Sequence, residues 1–386
     1  MVDYLLTEEQ QMLKELAHQI AEEKIRPVAK EHDETGEFPW DIMKIIAQSD
    51  LFGVYIDEKY GGTGGGVFEL ALVTEELSRA CGGIAVCFAA SALGTYPILL
   101  FGNDKQKDKY LPDLASGKKL AAFAVTEPNA GSDASAIETK AEKKADHYVL
   151  NGRKQWITNG GEAETYVVIA MTNRSKGARG ASAFIVEKGT PGFEFGKKED
   201  KLGIRASATR ELLFNDCKIP QENILSREGM GFIVAMKTFD CSRSGVAAQA
   251  IGIAQGALEL TLEYAHQRHQ FGKPITSFQG IQFMLADMAT ELEAARALVY
   301  SACRMVDSGA KNVARASAMA KMYASDVAMK VTTDCIQIFG GYGYMKEYPI
   351  EKYFRDAKIT QIYEGTNQIM RGVIAANLVK ELAKKK

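Results

Sequence analysis

The chain has few of the patterns that accompany metal, nucleic-acid or membrane work. Its six cysteines (Cys81, Cys87, Cys217, Cys241, Cys303 and Cys335) include no Cys-x-x-Cys pair, and its five histidines no His-x-x-x-His pair. Neither a zinc site nor metal catalysis therefore has support. Thiols scattered this widely point to a reducing, cytoplasmic setting rather than a disulfide framework. A net charge of −2 argues against a nucleic-acid or polybasic membrane surface. The stretch Met1–Gln10 has no basic segment followed by an apolar run, so it does not read as a secretory signal. No apolar stretch is expected to reach the roughly 18 residues of a membrane helix. The glycine cluster Gly61, Gly62, Gly64, Gly65 and Gly66 has neither a following Gly-Lys-Ser/Thr nor dinucleotide-binding spacing, which leaves a flexible loop.

What is present fits a soluble globular chain. With 386 residues, 46% hydrophobic and 25% charged, it has room for about two or three domains. Residues 1–118 read as helical. Thr7 and Gln10 form a capping box ahead of Leu13, Leu16 and Ile20, and further helices are expected near 40–49, 67–80, 84–101 and 104–116. Residues 119–228 read as a small β domain. His147–Leu150, the turn-forming Asn151-Gly152, and Arg153–Ile157 predict a hairpin; Tyr166–Met171, Ala183–Val186, Glu211–Phe214 and Cys217–Ile219 predict strands. Residues 229–386 return to helical spacing, with helices near 230–267, 311–338 and 367–383. The clearest is predicted to start from a Thr276/Gln279 capping box, its seam running Phe278, Ile281, Leu285, Met288, Leu292, Ala295 and Val299. Lys384–Lys386 read as a frayed, solvated end.

The stretch Ile362-Tyr363-Glu364-Gly365-Thr366-Asn367-Gln368-Ile369 sets one carboxylate at a break between two helical segments. Gly365 permits a turn that other residues resist, and Thr366 can cap the next helix. By itself this is either a helix stop with a solvated acid or a carboxylate aimed into a pocket.

Phe123-Ala124-Val125-Thr126-Glu127-Pro128-Asn129-Ala130-Gly131-Ser132-Asp133 resembles a flavin segment of the acyl-CoA dehydrogenases. Trp156-Ile157-Thr158-Asn159-Gly160 resembles that family's second flavin segment, and Arg268-His269-Gln270-Phe271-Gly272 its Arg-x-x-Phe-Gly segment. Gln337-Ile338-Phe339-Gly340-Gly341 resembles a third, and Ile362–Ile369 the segment that carries the catalytic base. Within the family the chain looks closest to the short-chain, butyryl-CoA type.

The resemblance implies an α+β fold with an N-terminal helical domain, a central β-barrel-like domain and a C-terminal four-helix bundle. It implies FAD as hydride acceptor, an acyl-CoA substrate, an electron-transfer flavoprotein as partner, and a homotetramer arranged as a dimer of dimers. Glu364 is implied as the base. Where some members carry a base in an Asp-x-x-Arg segment, this chain reads Asp240-Cys241-Ser242-Arg243, and Ser242 cannot serve. Phe123, Val125, Thr126, Ser132, Trp156, Ile157 and Thr158 are implied around the flavin, with Thr366 and Gln368 closing the site. Arg268, Gln270, Phe271, Gln337, Gly340 and Gly341 are implied to hold the adenosine–pyrophosphate half from a neighbouring subunit. Ser132, Asp240, Arg243, Tyr363 and Gly365 are implied near the substrate. The helix Cys87–Gly94, with small residues at Ala89, Ala90 and Ser91, is the expected pocket floor. It has no arginine to pair with a distal carboxylate, and a cyclic, aromatic or dicarboxylic acyl group, or enoyl-CoA reduction, are the rival readings. A DNA-associated relative of this fold is disfavoured by the near-neutral charge.

Overall fold

A computed structural model describes residues 4–383. The readings of the first three residues and of Lys384–Lys386 lie outside them. Six α-helices come first: α1 (Glu8–Ile20), α2 (Ala29–Thr35), α3 (Trp40–Gln48), α4 (Val67–Ala80), α5 (Gly82–Phe101) and α6 (Asp104–Ala115). The capping box on α1 is formed, with Gln10 N donating to Thr7 Oγ1 at 3.2 Å and Thr7 N to Gln10 Oε1 at 3.1 Å.

Two expectations in this region are corrected. The uncharged run Gly82–Phe101 is long and apolar enough to cross a membrane, with a mean hydropathy of 2.0, and 72% of it is buried inside the protein. It is a core helix: a helix apolar on every side needs neighbours all round. The glycine-rich loop is also tied down rather than slack. Gly62 N donates to Asp57 O, Thr63 N to Gly53 O and Gly64 N to Ile56 O, and a Cβ on Gly62 would stand 1.9 Å from the Ile56 carbonyl oxygen. Its last member, Gly66, caps α4, and Asp307 accepts from the next two amides, of Val67 and Phe68, at 2.7 and 2.9 Å.

The middle of the chain forms β1 (Ala121–Ala124), β2 (Lys140–Lys143), β3 (His147–Thr158), β4 (Thr165–Met171), β5 (Ala181–Glu187), β6 (Phe193–Lys198), β7 (Thr209–Pro220) and β8 (Ile224–Leu225). They make one sheet in the order β6-β7-β3-β2-β4-β5-β8, with β1 pairing in parallel with β4. The predicted Asn151-Gly152 hairpin is not there; β3 runs straight through it. The Asn151 side chain donates to Asp216 Oδ1 at 3.0 Å and accepts from Asp216 N at 2.8 Å, and the register with β7 shifts at this point. The Asn-Gly pair is thus a bulge held by its partner strand, and the partner joins the two short strands expected at 211–214 and 217–219.

The remainder is helical: α7 (Gly231–Gln267), α8 (Gln279–Asp307), α9 (Val313–Phe339), α10 (Ile350–Ile359) and α11 (Asn367–Ala383), with a two-stranded β9 (His269–Gln270) and β10 (Lys273–Pro274). The predicted Thr276 capping box is absent. Ile275–Ser277 form a 3-10 turn, α8 starts at Gln279, and Thr276 is used through its carbonyl, which accepts from Gln282 Nε2 at 2.9 Å. The inner half of the predicted seam, Met288, Leu292, Ala295 and Val299, is buried. Helix α10 is the helical segment expected ahead of the Glu364 break, with no bounds predicted for it. α7 is the axis of the molecule, packing on α4, α5, α8, α9 and α10. It lies so close to α4 that a Cβ on Gly252 would stand 2.2 Å from the Glu75 carbonyl oxygen.

Candidate active site

α10 ends four residues before Tyr363, and α11 starts at Asn367, capped by Thr366, whose hydroxyl accepts from Ile369 N at 3.3 Å. Between them Glu364 itself takes φ +52° and Gly365 φ +99°. Left-handed backbone is expected of the glycine; at a glutamate it marks a constrained turn. The constraint comes from α7. Ser242 Oγ donates to Glu364 Oε2 at 2.5 Å, and Arg243 Nε donates to the Glu364 carbonyl at 3.2 Å. Tyr363 is tied by its hydroxyl to Gln249, whose amide donates to Gly82 O at 3.0 Å. Burial pushes the Glu364 carboxyl up to about 6, against the opposing pull of the Ser242 hydrogen bond and the Arg243 and Lys321 charges.

Glu364 stands where two cavities meet. The first is apolar and lies between α5 and α7; Val86, Ala89, Ala90, Leu93 and Tyr96 form one stripe along α5, and Phe239 and Val246 face them. The expected floor is therefore half right. Ala89 and Ala90 line the cavity, but Ser91 points to the opposite face, where its hydroxyl accepts from Ala121 N at 3.0 Å. Among the described residues no lysine or arginine lines this cavity. The second, of about 580 Å³, runs past Gly131, Ser132, Ile362, Gly365 and Thr366. Thr126, Trp156, Thr158, Tyr363 and Glu364 line both. Phe123, Val125 and Ile157 line the first only and are buried.

The residues of the second cavity fit a flavin. Trp156 has φ +56° at a shift in strand register and is 59% exposed, so its indole is free to lie against a planar ring. The side-chain hydroxyls of Thr126, Ser132 and Thr158 make no hydrogen bond to any described residue. The segment bearing Val125 and Thr126 is held from behind by an ion pair that sequence reading missed: buried Lys154 donates to Val125 O at 2.9 Å and to Glu127 Oε1 at 2.7 Å. Only the fold reveals it, because a lysine within a strand reads as solvent-facing.

The other expected site residues lie apart. Arg268, Gln270, Gly340 and Gly341 share an open groove at the end of α9. Arg268 has no ion-pair partner among the described residues and sits 5.5 Å from the centre of the Tyr342 ring. Phe271, 93% exposed with φ +53°, projects beyond this groove, and Gln337 and Gln368 are exposed on α9 and α11. Asp240 and Arg243 line neither cavity. They are buried, not a solvated helix pair, and Arg243 lies under the Glu364 turn.

Three family models match the chain: the N-terminal domain of acyl-CoA dehydrogenase over residues 7–118, its middle domain over 122–217 and its C-terminal domain over 229–379. The solved butyryl-CoA dehydrogenase of Megasphaera elsdenii is 50% identical, with a TM-score of 0.96 over 98% of this chain and 100% of that one. A chain from a structure of the electron transferring flavoprotein of Acidaminococcus fermentans is 51% identical, with a TM-score of 0.96 over 98% and 99% of the two chains. The acryloyl-CoA reductase (NADH) of Anaerotignum propionicum is 49% identical over 98% of this chain and 96% of its own. Three matching domains in order, with the carboxylate turn and the cleft beside it, make this chain a member of the acyl-CoA dehydrogenase family.

Proposed function

We propose that the chain catalyses α,β-dehydrogenation of a short-chain acyl-CoA to the 2,3-enoyl-CoA, with Glu364 removing the α-proton. The observation that carries this is the position of Glu364: it lines the cavity between α5 and α7 and the larger cleft beside it at once, with its carboxyl raised to about 6 and held by Ser242. A base of that kind is largely ionised near neutral pH yet basic enough to accept a proton from carbon. The left-handed turn aims the carboxylate and, by resemblance, leaves the Glu364 N–H for the thioester oxygen, where charge develops.

FAD, when bound, supplies the hydride acceptor. Thr126, Trp156 and Thr158 would hold its ring, with Phe123, Val125 and Ile157 backing them from the apolar side and Ser132, Thr366 and Gln368 at the edges. Arg268, Gln270, Phe271, Gln337, Gly340 and Gly341 would serve a neighbouring subunit's FAD. Their separate groove and the exposure of Phe271 support that division. Asp240 and Arg243 serve the substrate indirectly, through the turn bearing Tyr363, Glu364 and Gly365.

An electron-transfer flavoprotein receives the electrons, and the protein works in the cytoplasm as a tetramer with domains at 1–118, 119–228 and 229–386. The apolar, cation-free cavity favours a plain short acyl chain over a dicarboxylic one. Enoyl-CoA reduction is the second reading, favoured by the likeness to acryloyl-CoA reductase. Anaerobic mixing of the FAD-loaded protein with acyl-CoAs and, after reduction, with enoyl-CoAs tests both. Flavin bleaching by butyryl-CoA is the expected result, and bleaching by no acyl-CoA would remove the proposal.

A further inference from the structure

Two buried cations grip consecutive carbonyls of the turn that carries Glu364. Arg243 donates to the carbonyl of Glu364, and Lys321 Nζ, from the middle of α9, donates to that of Gly365 at 2.7 Å. These are the two left-handed residues of the turn: Arg243 holds the one that local preference resists, Glu364, and Lys321 holds the glycine that follows it. Lys321 is wholly buried and also donates to Asn367 Oδ1 at 3.0 Å, at the start of α11.

Among the described residues no carboxylate lies within ion-pair distance of Lys321. The nearby Asp326 is engaged by Arg371 at 3.0 Å and by the amides of Gln361 and Asn367, both at 2.7 Å. Burial pulls the Lys321 ammonium down to about 8, with Glu364 the first of the charges that oppose the pull. An unpaired buried ammonium is costly, and a neutral donor would tie Gly365 as well. The charge itself therefore has a use.

We propose that Lys321 is a positioning residue for the reaction. Its ammonium fixes the Gly365 carbonyl, and with it the aim of the Glu364 carboxylate, and supplies a positive charge behind that carboxylate. This rests on Glu364 being the base. The other groups facing Glu364 are Ser242 and Arg243 of α7, with Asp240 beyond Arg243, and Tyr363 of its own turn. Asp356 of α10 adds negative charge near Tyr363. Glu199, Asp200, Lys201, Arg355 and Lys358 line the same cleft, and the cations that act most on the Glu364 carboxyl are Arg243 and Lys321.

The test uses the FAD-loaded Lys321→Met variant, with flavin content and melting temperature measured beside the pH profile of anaerobic bleaching by butyryl-CoA. The acid limb of the profile is expected to move to higher pH. At pH 7 the bleaching rate falls at least about tenfold while substrate affinity changes by less than about threefold, the signature of lost aim rather than lost binding. Lys321→Gln, a neutral donor that keeps a hydrogen bond within reach, is expected to move the limb as far with a smaller loss of rate; it also answers the case in which the methionine variant does not fold. An acid limb that stays at the parent's position in a folded, FAD-loaded variant overturns the proposal even if the rate falls, because a purely structural tie would do that. Glu364→Gln separates the two levels. If it bleaches at the parent rate the base assignment fails; if it is inert while Lys321→Met behaves like the parent, only the role of Lys321 fails.

Discussion

The hydroxyl of Ser242, on the long helix α7, lies 2.5 Å from the carboxylate of Glu364, 122 residues later in the chain. A serine that cannot itself act as a base thus holds the carboxylate proposed as the base. Its hydrogen bond favours the ionised carboxylate and opposes the effect of burial. In the Ser242→Ala variant the acid limb of the bleaching profile should move above the parent's, which is expected near pH 6. The rate lost at pH 6 should return at pH 8. A loss that persists equally at pH 8 would mean that Ser242 matters for geometry alone.

Glu364→Gln should lower the bleaching rate by about 10²–10⁴-fold, the span that a positioned base contributes. The same substitution should stabilise the protein. The carboxyl has an ordinary value of 4.5 and a folded value of about 6, so the folded state holds its proton more tightly than the unfolded one. Stability is then fully present below 4.5 and is lost as pH rises through 6. Removing the charge should recover at most about 2 kcal/mol at pH 8 and nothing at pH 4. Thermal unfolding at the two pH values measures this.

Ala89 lies on the α5 stripe that walls the apolar cavity. Ala89→Leu should shorten the usable space by about three carbon atoms' worth of volume and move preference toward acryloyl- and propionyl-sized groups. The check is the ratio of kcat/KM for butyryl-CoA over propionyl-CoA, which should fall by about 10-fold or more. An unchanged ratio would place the acyl chain elsewhere.

Gly252→Ala puts a methyl 2.2 Å from the Glu75 carbonyl where α7 crosses α4. The backbones must part, at a cost of about 1–3 kcal/mol. A lowered melting temperature with an unchanged bleaching profile is the expected result.

Arg268→Ala removes a guanidinium that has no ion-pair partner among the described residues. FAD should be retained less tightly, by about 10-fold or more if a phosphate is its partner. Equilibrium dialysis reads this directly, without any turnover.

Much of this protein was legible in its sequence. The Thr7–Gln10 cap, the helical segments on either side of a β block, and the Thr366 cap are local patterns, and local hydrogen bonds and side-chain periodicity set them wherever the chain goes. The five family segments fixed the family, and with it the carboxylate to watch. Asn151-Gly152 shows where local reading stops. The pair favours a turn, yet a partner strand bonded to Asn151 kept the chain extended and used it as a bulge. Gly82–Phe101 is another case: its composition suits a membrane, and only the helices around it make it a core element.

What tertiary structure alone decided is the environment of Glu364. The sequence put a glycine beside the acid, but the left-handed backbone extends to Glu364 itself because groups from α7 and α9 hold its turn. Ser242, Arg243 and Lys321 are separated from Glu364 by between 43 and 122 residues, and no periodicity links such positions. Burial and charge at one carboxylate depend on which distant side chains pack against it, and that is fixed only when the helices come together.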